Sequence, residues 1–527
     1  MKIDKLHIYS KFKQLEDFEI NFDEDSLMTV IVGKNGSGKS NVLEALVSIF
    51  RNLDLGESPP FSYKLVYRLG RDPKLDSSSK KWLEVEVEAD VEKKTLNSQY
   101  TIHCNNLLSS QFSSDLNSSK KIPITKVKRD KFGNSDYLPK YLFAYYSGPS
   151  DRLEKYFIKH RTNFYRKLLQ DELNLKGDIR PLFYAKPYHS QFVLLAFFLS
   201  DQQSIERKFI LEHLEIEDLD SVHFVLRQPN WAKDKDELFW GAKGIVRKFL
   251  DELIKHALAP LKIKRQENTS LTGKNIRNEF FHLFLPDLNS LKNFAKDLTP
   301  DELFKMLESL LLSEIISEVS VRVKVKSNNF PLTFNELSEG EQQLLTVLGL
   351  LKFTGGEDSL FLLDEPDTHL NPAWAVKYLK FLKQFVPNEE TSHLLMVTHH
   401  PLAIAELEKK QVQVMTRDEN YNISAIEPDE SPRGMGINLI LRSDMFGLKS
   451  TLDEFTNRKL KLRNSLAAKE ILSSAQKIFD EEIGFETEEQ CLARLNEELE
   501  SLGFNLASDD PDYMDFLQEK YQEGKEP

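Results

Sequence analysis

The sequence predicts an α/β fold: a mixed-sheet core with an antiparallel subdomain, interrupted by a helical insertion and extended by a helical C-terminal region. Three observations predict it. An apolar run, Leu27–Val32, leads into a glycine-rich loop, Gly33-Lys-Asn-Gly-Ser-Gly-Lys-Ser40, and then into a helical pattern from Ser40 to Phe50. Two further apolar runs, Ser359-Leu-Phe-Leu-Leu-Asp-Glu365 and Leu394-Leu-Met-Val-Thr-His-His-Pro401, lie about 30 residues apart, the spacing of parallel neighbours joined by one crossover helix. The stretch Leu83-Glu-Val-Glu-Val-Glu-Ala89 alternates with period 2, as an antiparallel strand does.

In chain order, Ile3–Ile8 and Phe18–Phe22 read as short strands ahead of the glycine loop, and Phe61–Thr101 as an antiparallel sheet. The Ser-, Asn- and Lys-rich stretch Asn105–Asp136 reads as a surface loop, followed by a strand at Tyr141–Tyr146 that ends in Ser147-Gly-Pro149. Asp151–Ser317 is mostly helical in pattern, broken around Pro181, Pro187, Pro229 and Pro286; Val319–Val325 alternates as a strand. The expected organisation is therefore a first core lobe over 1–150, a helical insertion over 151–318, a second core lobe over 319–430 and a helical extension over 431–527, a candidate docking region for a partner.

Composition narrows the function classes. The 527 residues are 40% hydrophobic and 29% charged, an ordinary globular balance. A formal charge of −13 argues against general coating of nucleic acid. Cys104 and Cys491 form no CxxC pair, which disfavours a cysteine zinc site and suits a reducing cytoplasm. The N-terminus shows no signal-peptide core, and the longest apolar run, Phe192–Leu199, is far short of the roughly 20 residues that span a bilayer.

The glycine loop carries the most specific chemistry. Its glycines let backbone N–H groups turn inward around phosphates, which side chains would obstruct. Asn35, Gly36, Ser37, Gly38, Lys39, Ser40 and Asn41 are the nucleotide-binding candidates, with Lys39 on the β- and γ-phosphates and Ser40 on Mg²⁺. Asp364 is the second Mg²⁺ candidate, and Glu365 would polarise the attacking water. Leu337-Ser-Glu-Gly-Glu-Gln-Gln343 opens an apolar helix. Taken alone, Ser338 with Glu341 is a capping box; its place between the other motifs gives Ser338 and the backbone around Gly340 an anion-binding role. A histidine at a strand end is usually structural, but beside the carboxylate strand His399 is placed to sense the γ-phosphate or the attacking water.

The order of glycine loop, LSEGEQQ, LLDEP, DTHLNP and THHP resembles that of ABC-type ATPases, and Gly33–Ala45 is similar to the SMC/RecF/OLD branch. The resemblance implies an ABC-type head that takes ATP and Mg²⁺. It also implies a homodimer in which Ser338, Gly340 and Glu341 contact the partner's nucleotide and Asp367–Asn371 lines the interface. No glutamine is identified for the remaining Mg²⁺ contact of that family.

Prolines interrupt the insertion and no sustained heptad appears, so a compact insertion is expected rather than a long coiled coil. Residues 402–527 show no apolar strand ending in Glu-Gly, as an OLD-type nuclease domain needs, and Asp509, Asp510 and Asp512 sit in a polar tail. Tyr145–Gly148, Phe239–Gly244 and Asp444–Asp453 are similar to the ATPases of Septu antiphage systems, which also occur beside retrons. That resemblance implies dimers or higher oligomers, control of a separate HNH nuclease and, in a retron setting, contact with the reverse transcriptase and its DNA–RNA hybrid. Two basic clusters, Lys120, Lys121, Lys126, Lys128, Arg129 and Lys131, and Arg458, Lys459, Lys461 and Arg463, are candidates for nucleic-acid contact against the ordinary reading of solvated faces. A self-sufficient OLD-type nuclease and a RecF- or SMC-like repair ATPase remain the alternatives.

Overall fold

The computed structural model describes residues 1–23, 25–71, 81–110, 119–130, 133–169, 180–232, 237–268, 275–468 and 487–503. The chain forms two compact units, Met1–Ile437 and Asn438–Pro527.

The first unit is organised by a seven-stranded sheet with the order β18-β17-β3-β16-β15-β8-β9. Its strands are β3 (Met28–Gly33), β8 (Tyr141–Tyr146), β9 (Leu182–Tyr184), β15 (Ser359–Asp364), β16 (Ser392–Val397), β17 (Val412–Arg417) and β18 (Ile423–Ile426). All neighbours are parallel except the β17–β18 hairpin. β3, β15 and β16 are buried at every position, as strands covered on both faces are, and their central residues are correspondingly mostly apolar. The helix Pro372–Phe385 carries the chain from β15 to the adjacent β16, as the spacing of the two motifs predicts.

A six-stranded antiparallel sheet, β2-β1-β4-β5-β6-β7, comprises β1 (Lys2–Ile8), β2 (Phe18–Asn21), β4 (Tyr63–Gly70), β5 (Trp82–Ala89), β6 (Tyr100–Asn106) and β7 (Lys120–Ile122). Val85, Val87 and Ala89 of the alternating stretch point into the core. They share that core with Val42, Leu46, Ile49 and Phe50 of the helix Lys39–Leu55 and with Leu360, Leu362 and Leu395 of the central sheet. The helix after the glycine loop is thus gripped by apolar surface from two sheets, which fixes its N-terminus. Part of the expected surface loop Asn105–Asp136 is structured: β7 and the helical turn Ile124–Val127 bury Ile122, Ile124 and Val127, while residues 111–118 lie outside the described part.

The stretch expected to be mostly helical differs most. It contains helices such as Glu154–Leu169, His189–Leu199, Gly244–His256 and Pro300–Leu312, but also three long strands: β10 (Ile216–Arg227), β11 (Leu258–Asn268) and β12 (Asn275–Leu285). With β13 (Ile316–Val325) and β14 (Leu332–Thr333) they form an antiparallel sheet, β11-β12-β10-β13-β14. The period-2 signal was masked by irregular pairing. β10 shifts register against β13 three times, β11 shifts between Leu258 and Leu261, and β12 buries the consecutive Phe280 and Phe281.

In the second unit the helices Glu454–Ala467 and Glu488–Ser501 pack through Leu462, Leu466, Cys491 and Leu495. Cys104 and Cys491 are both buried. No helix among the described residues is long and apolar enough to cross a membrane.

Candidate functional site

β3 ends at Gly33, whose φ of 137° and close approach to β17 exclude a side chain: a Cβ there would lie 2.2 Å from the Met415 carbonyl oxygen. Gly36 and Gly38 take φ of 80° and 88°, so the loop turns back to start the helix Lys39–Leu55 with Gly38 as its left-handed cap. Asn35 and Gly36 are exposed at the tip. Ser37 is buried, with its hydroxyl unpaired among the described residues. The buried Lys39 ammonium donates to the carbonyls of Gly33 and Lys34, 2.9 Å each. Burial lowers its pKa to about 8, opposed by the Glu365 and Asp364 charges. The helix start therefore presents backbone N–H groups and a localised cation, the combination that binds phosphate.

Between β3 and β15 lies only β16, so three strand ends converge. Ser40 Oγ donates to Asp364 Oδ1 at 2.9 Å, joining the loop helix to the end of β15. Asp364 is fully buried, burial raises its pKa to about 6, and its Oδ2 accepts no hydrogen bond from any described residue. Glu365 follows in a left-handed conformation (φ 53°), with its N–H bonded to the Val397 carbonyl at 2.9 Å. That turn aims its carboxylate at His399, whose Nε2 lies 3.1 Å from Glu365 Oε1; the two side chains are 34% and 38% exposed. Burial and the Lys39 charge lower the His399 pKa, against the pull of Glu365.

Arg152 and Lys13, which help to hold this geometry, carried no local signal in the sequence. Arg152 donates from Nε to Glu44 Oε1 at 2.7 Å and from Nη2 to Asn41 Oδ1 at 3.1 Å, pinning the first two turns of the loop helix; Lys13 pairs with the other Glu44 oxygen. Ser147, after β8, donates its N–H to the Asp364 carbonyl at 3.2 Å. Thr398 donates to the buried Asp367 at 2.6 Å, and burial raises the Asp367 pKa to about 6. Each of these contacts joins residues distant in sequence.

Ser338 and Glu341 form the capping box that the sequence suggests: Ser338 N–H and hydroxyl donate to Glu341 at 2.7 and 2.8 Å, at the start of the helix Glu339–Thr354. Gly340 packs against the turn after β15, where a Cβ would lie 2.5 Å from the His369 carbonyl oxygen. No hydrogen bond or ion pair among the described residues joins Ser338, Gly340 or Glu341 to Gly33–Ser40 of the same chain.

The basic clusters are partly accounted for within the chain. Arg129 is buried against Asp54 at 2.6 Å, Lys459 pairs with Glu498, and Arg463 donates to Asn496 at 2.8 Å. Lys131 and the tail carboxylates Asp509, Asp510 and Asp512 lie outside the described residues. Among the described residues no three His, Cys, Asp or Glu side chains are grouped to hold a metal ion.

A family profile described as "AAA domain, putative AbiEii toxin, Type IV TA system" matches residues 28–405, spanning the glycine loop, both carboxylates and the histidine strand. The chain belongs to this family. The fold of this AAA-family chain is an ABC-type ATPase head: a glycine loop and a carboxylate strand separated by one strand, beside an antiparallel lobe. It is 25% identical over 200 residues to Septu protein PtuA of Bacillus mycoides, covering 36% of this chain and 28% of that protein. It is 26% identical over 167 residues to protein ea59 of Escherichia phage lambda, covering 30% of this chain and 31% of that one. The chain thus spans less than a third of the length of the curated relatives it matches. The SMC head domain from Thermotoga maritima aligns over 81% of this chain and 99% of its own length at 13% identity, with a TM-score of 0.32, too low to carry weight.

Proposed function

We propose that the chain binds and hydrolyses ATP as the regulatory subunit of an antiphage defence complex and controls a separate HNH nuclease. The observation that carries the ATPase reading is the convergence of Lys39, Ser40, Asp364, Glu365 and His399 at one end of the central sheet. The N–H groups of residues 35–41 and the Lys39 ammonium bind the phosphates. Glu365 orients the attacking water and takes its proton as the water oxygen bonds to the γ-phosphorus and the bond from that phosphorus to the β–γ bridging oxygen breaks, so that ADP and phosphate leave. His399, kept neutral by burial and by Lys39, donates from Nε2 to Glu365, so the carboxylate and the phosphate sensor move together.

A buried carboxylate oxygen with no described donor, beside a serine hydroxyl, fits a hard divalent cation, and Ser40 and Asp364 would hold Mg²⁺. When bound, Mg²⁺ neutralises charge on the β- and γ-phosphate oxygens.

Ser338, Gly340 and Glu341 act in trans. They lie at a helix N-terminus with no bond to their own loop, which suits contact with the nucleotide of a second copy in a head-to-head dimer or higher oligomer. The similarity to Septu protein PtuA supports a defence role in the cytoplasm, with a retron and its reverse transcriptase and DNA–RNA hybrid as one setting.

The ATPase reading is tested with purified protein and MgATP. Lys39→Ala abolishes nucleotide binding. Glu365→Gln retains binding, lowers turnover by about 100-fold or more and accumulates a dimer by light scattering. Wild-type turnover in Glu365→Gln refutes the catalytic assignment. For the defence reading, the chain alone, with Mg²⁺ or Mn²⁺, leaves plasmid and RNA intact. Robust cutting that survives rigorous purification favours the OLD-type alternative, and neighbouring genes without an HNH nuclease favour the repair alternative.

A further inference from the structure

Gln343 lies one turn into the helix Glu339–Thr354, its side chain almost fully buried. Its amide joins the helix to the turn after β15. Nε2 donates to the Glu365 carbonyl in a long hydrogen bond of 3.4 Å, and Oε1 accepts the His369 N–H at 3.1 Å. Tyr145 on β8 lies near the same amide, which partly offsets the rise that burial gives the pKa of its phenol. The amide orientation follows from these partners, since a carbonyl needs a donor and an N–H an acceptor. Two further facts give the position meaning. Glu365 takes a left-handed backbone, which is strained for a residue with a side chain and must be held in place. The His369 carbonyl held in the same turn is the atom against which Gly340 packs.

We propose that Gln343 is a positioning residue that makes the aim of Glu365 depend on the placement of the helix bearing Ser338. The inference rests on the ATPase reading above and deepens it. A shift of that helix when Ser338 and Gly340 engage a second copy's nucleotide moves the Gln343 amide, and the amide carries the movement to the Glu365 carbonyl and the His369 turn. Each site's catalytic carboxylate is thereby tied to the occupancy of the neighbouring site. Glutamine suits this place because it offers a donor and an acceptor on one planar group. Methionine matches its length and offers neither. Glutamate offers both only when protonated.

The test uses full-length Gln343→Met and Gln343→Glu beside wild type and Glu365→Gln. Gln343→Met lowers kcat by roughly 10- to 100-fold while KM, fluorescent-ATP affinity and the thermal midpoint stay near wild type. Gln343→Glu is impaired at pH 8, and its kcat relative to wild type rises as pH falls to 6, because a buried, protonated carboxyl group restores the donor. A kcat near wild type in Gln343→Met, or a loss confined to KM or thermal stability, overturns the inference. So does a pH-independent ratio for Gln343→Glu. If Glu365→Gln is inactive while Gln343→Met turns over normally, only this inference fails. If wild type shows no turnover, the ATPase reading fails with it.

Discussion

The central seven-stranded sheet and the five-stranded antiparallel sheet belong to the same unit yet handle charge in opposite ways. In the first, Lys39, Asp364 and Asp367 are buried and their pKa values displaced by burial. In the second, Lys262 and Lys264 reach Glu279 from positions 42% and 58% exposed. The first sheet runs in unbroken register where its strands converge on the loop, whereas the second is repeatedly shifted. Buried charge held on rigid strand ends can be directed at a substrate, while charge in solvent-side pairs is screened and contributes little. The difference marks the central sheet as the place for chemistry and, among the described residues, gives the second sheet no comparable site.

The largest effect expected from that contrast is at Gly33. Alanine there meets both a left-handed backbone and a β17 carbonyl oxygen at 2.2 Å. The neighbouring atom belongs to a sheet backbone, so the clash cannot be relieved by a side-chain rotation. Gly33→Ala destabilises by about 3 kcal/mol or more, read by chemical denaturation, and lowers soluble yield. A stable Gly33→Ala that still binds ATP would mean the strand end tolerates movement, contrary to the rigidity argued for it.

This contrast also explains what could be read from the sequence. β3, β15 and β16 are covered on both faces, so each appears as a mostly apolar run; the glycine loop follows β3 directly, and Asp364, Glu365 and His399 lie within two residues of the ends of β15 and β16. Of the five-stranded sheet, β13 is legible in the alternation of Val319–Val325, whereas β10, β11 and β12 are not, because their signal is spoiled locally: the β10 register shifts, Pro260 near the start of β11, and the adjacent buried Phe280 and Phe281. Arg152 and Gln343 were missed for another reason. Glu44 looks like a solvent-facing helix residue until Lys13 and Arg152 are seen to bury and pair it. Gln343 stands within a motif already singled out, but its partners Glu365 and His369 lie in the turn after β15, more than twenty residues away, and meet it only in the folded chain.

A smaller effect, opposite in sign to Gly33→Ala, is expected at Asp364. Its folded carboxyl titrates near 6 against an ordinary 3.8, with burial the main cause. Between these values the folded state holds more protons than the unfolded one, so this group's contribution to stability falls as pH rises through that window. Above pH 6 the ionised carboxylate costs stability. Asp364→Asn therefore stabilises the nucleotide-free protein at pH 7.5 by about 1–3 kcal/mol, and the gain shrinks toward zero near pH 4. The same variant loses MgATP-dependent turnover, because the Ser40–Asp364 pair no longer presents a carboxylate. A destabilised Asp364→Asn at pH 7.5 would show that the ionised group is held by favourable partners and would remove the distinction between the two sheets at this residue.

The smallest effect belongs to the antiparallel sheet. Lys264 lies 3.1 Å from Glu279 Oε1, but Lys262 lies 2.8 Å from Oε2, and Trp240 Nε1 donates to Oε2 at 3.3 Å. Removing one exposed cation leaves the carboxylate with two partners and access to water. Lys264→Ala should cost no more than about 0.5 kcal/mol in denaturant unfolding, and less as salt is raised, because exposed pairs are screened over roughly 10 Å at 0.1 M ionic strength. The salt dependence decides the matter. A cost above about 2 kcal/mol that persists at high salt would mean that Glu279 is as poorly solvated as Asp364. The antiparallel sheet would then also hold buried charge, and its lack of a directed site would need another explanation.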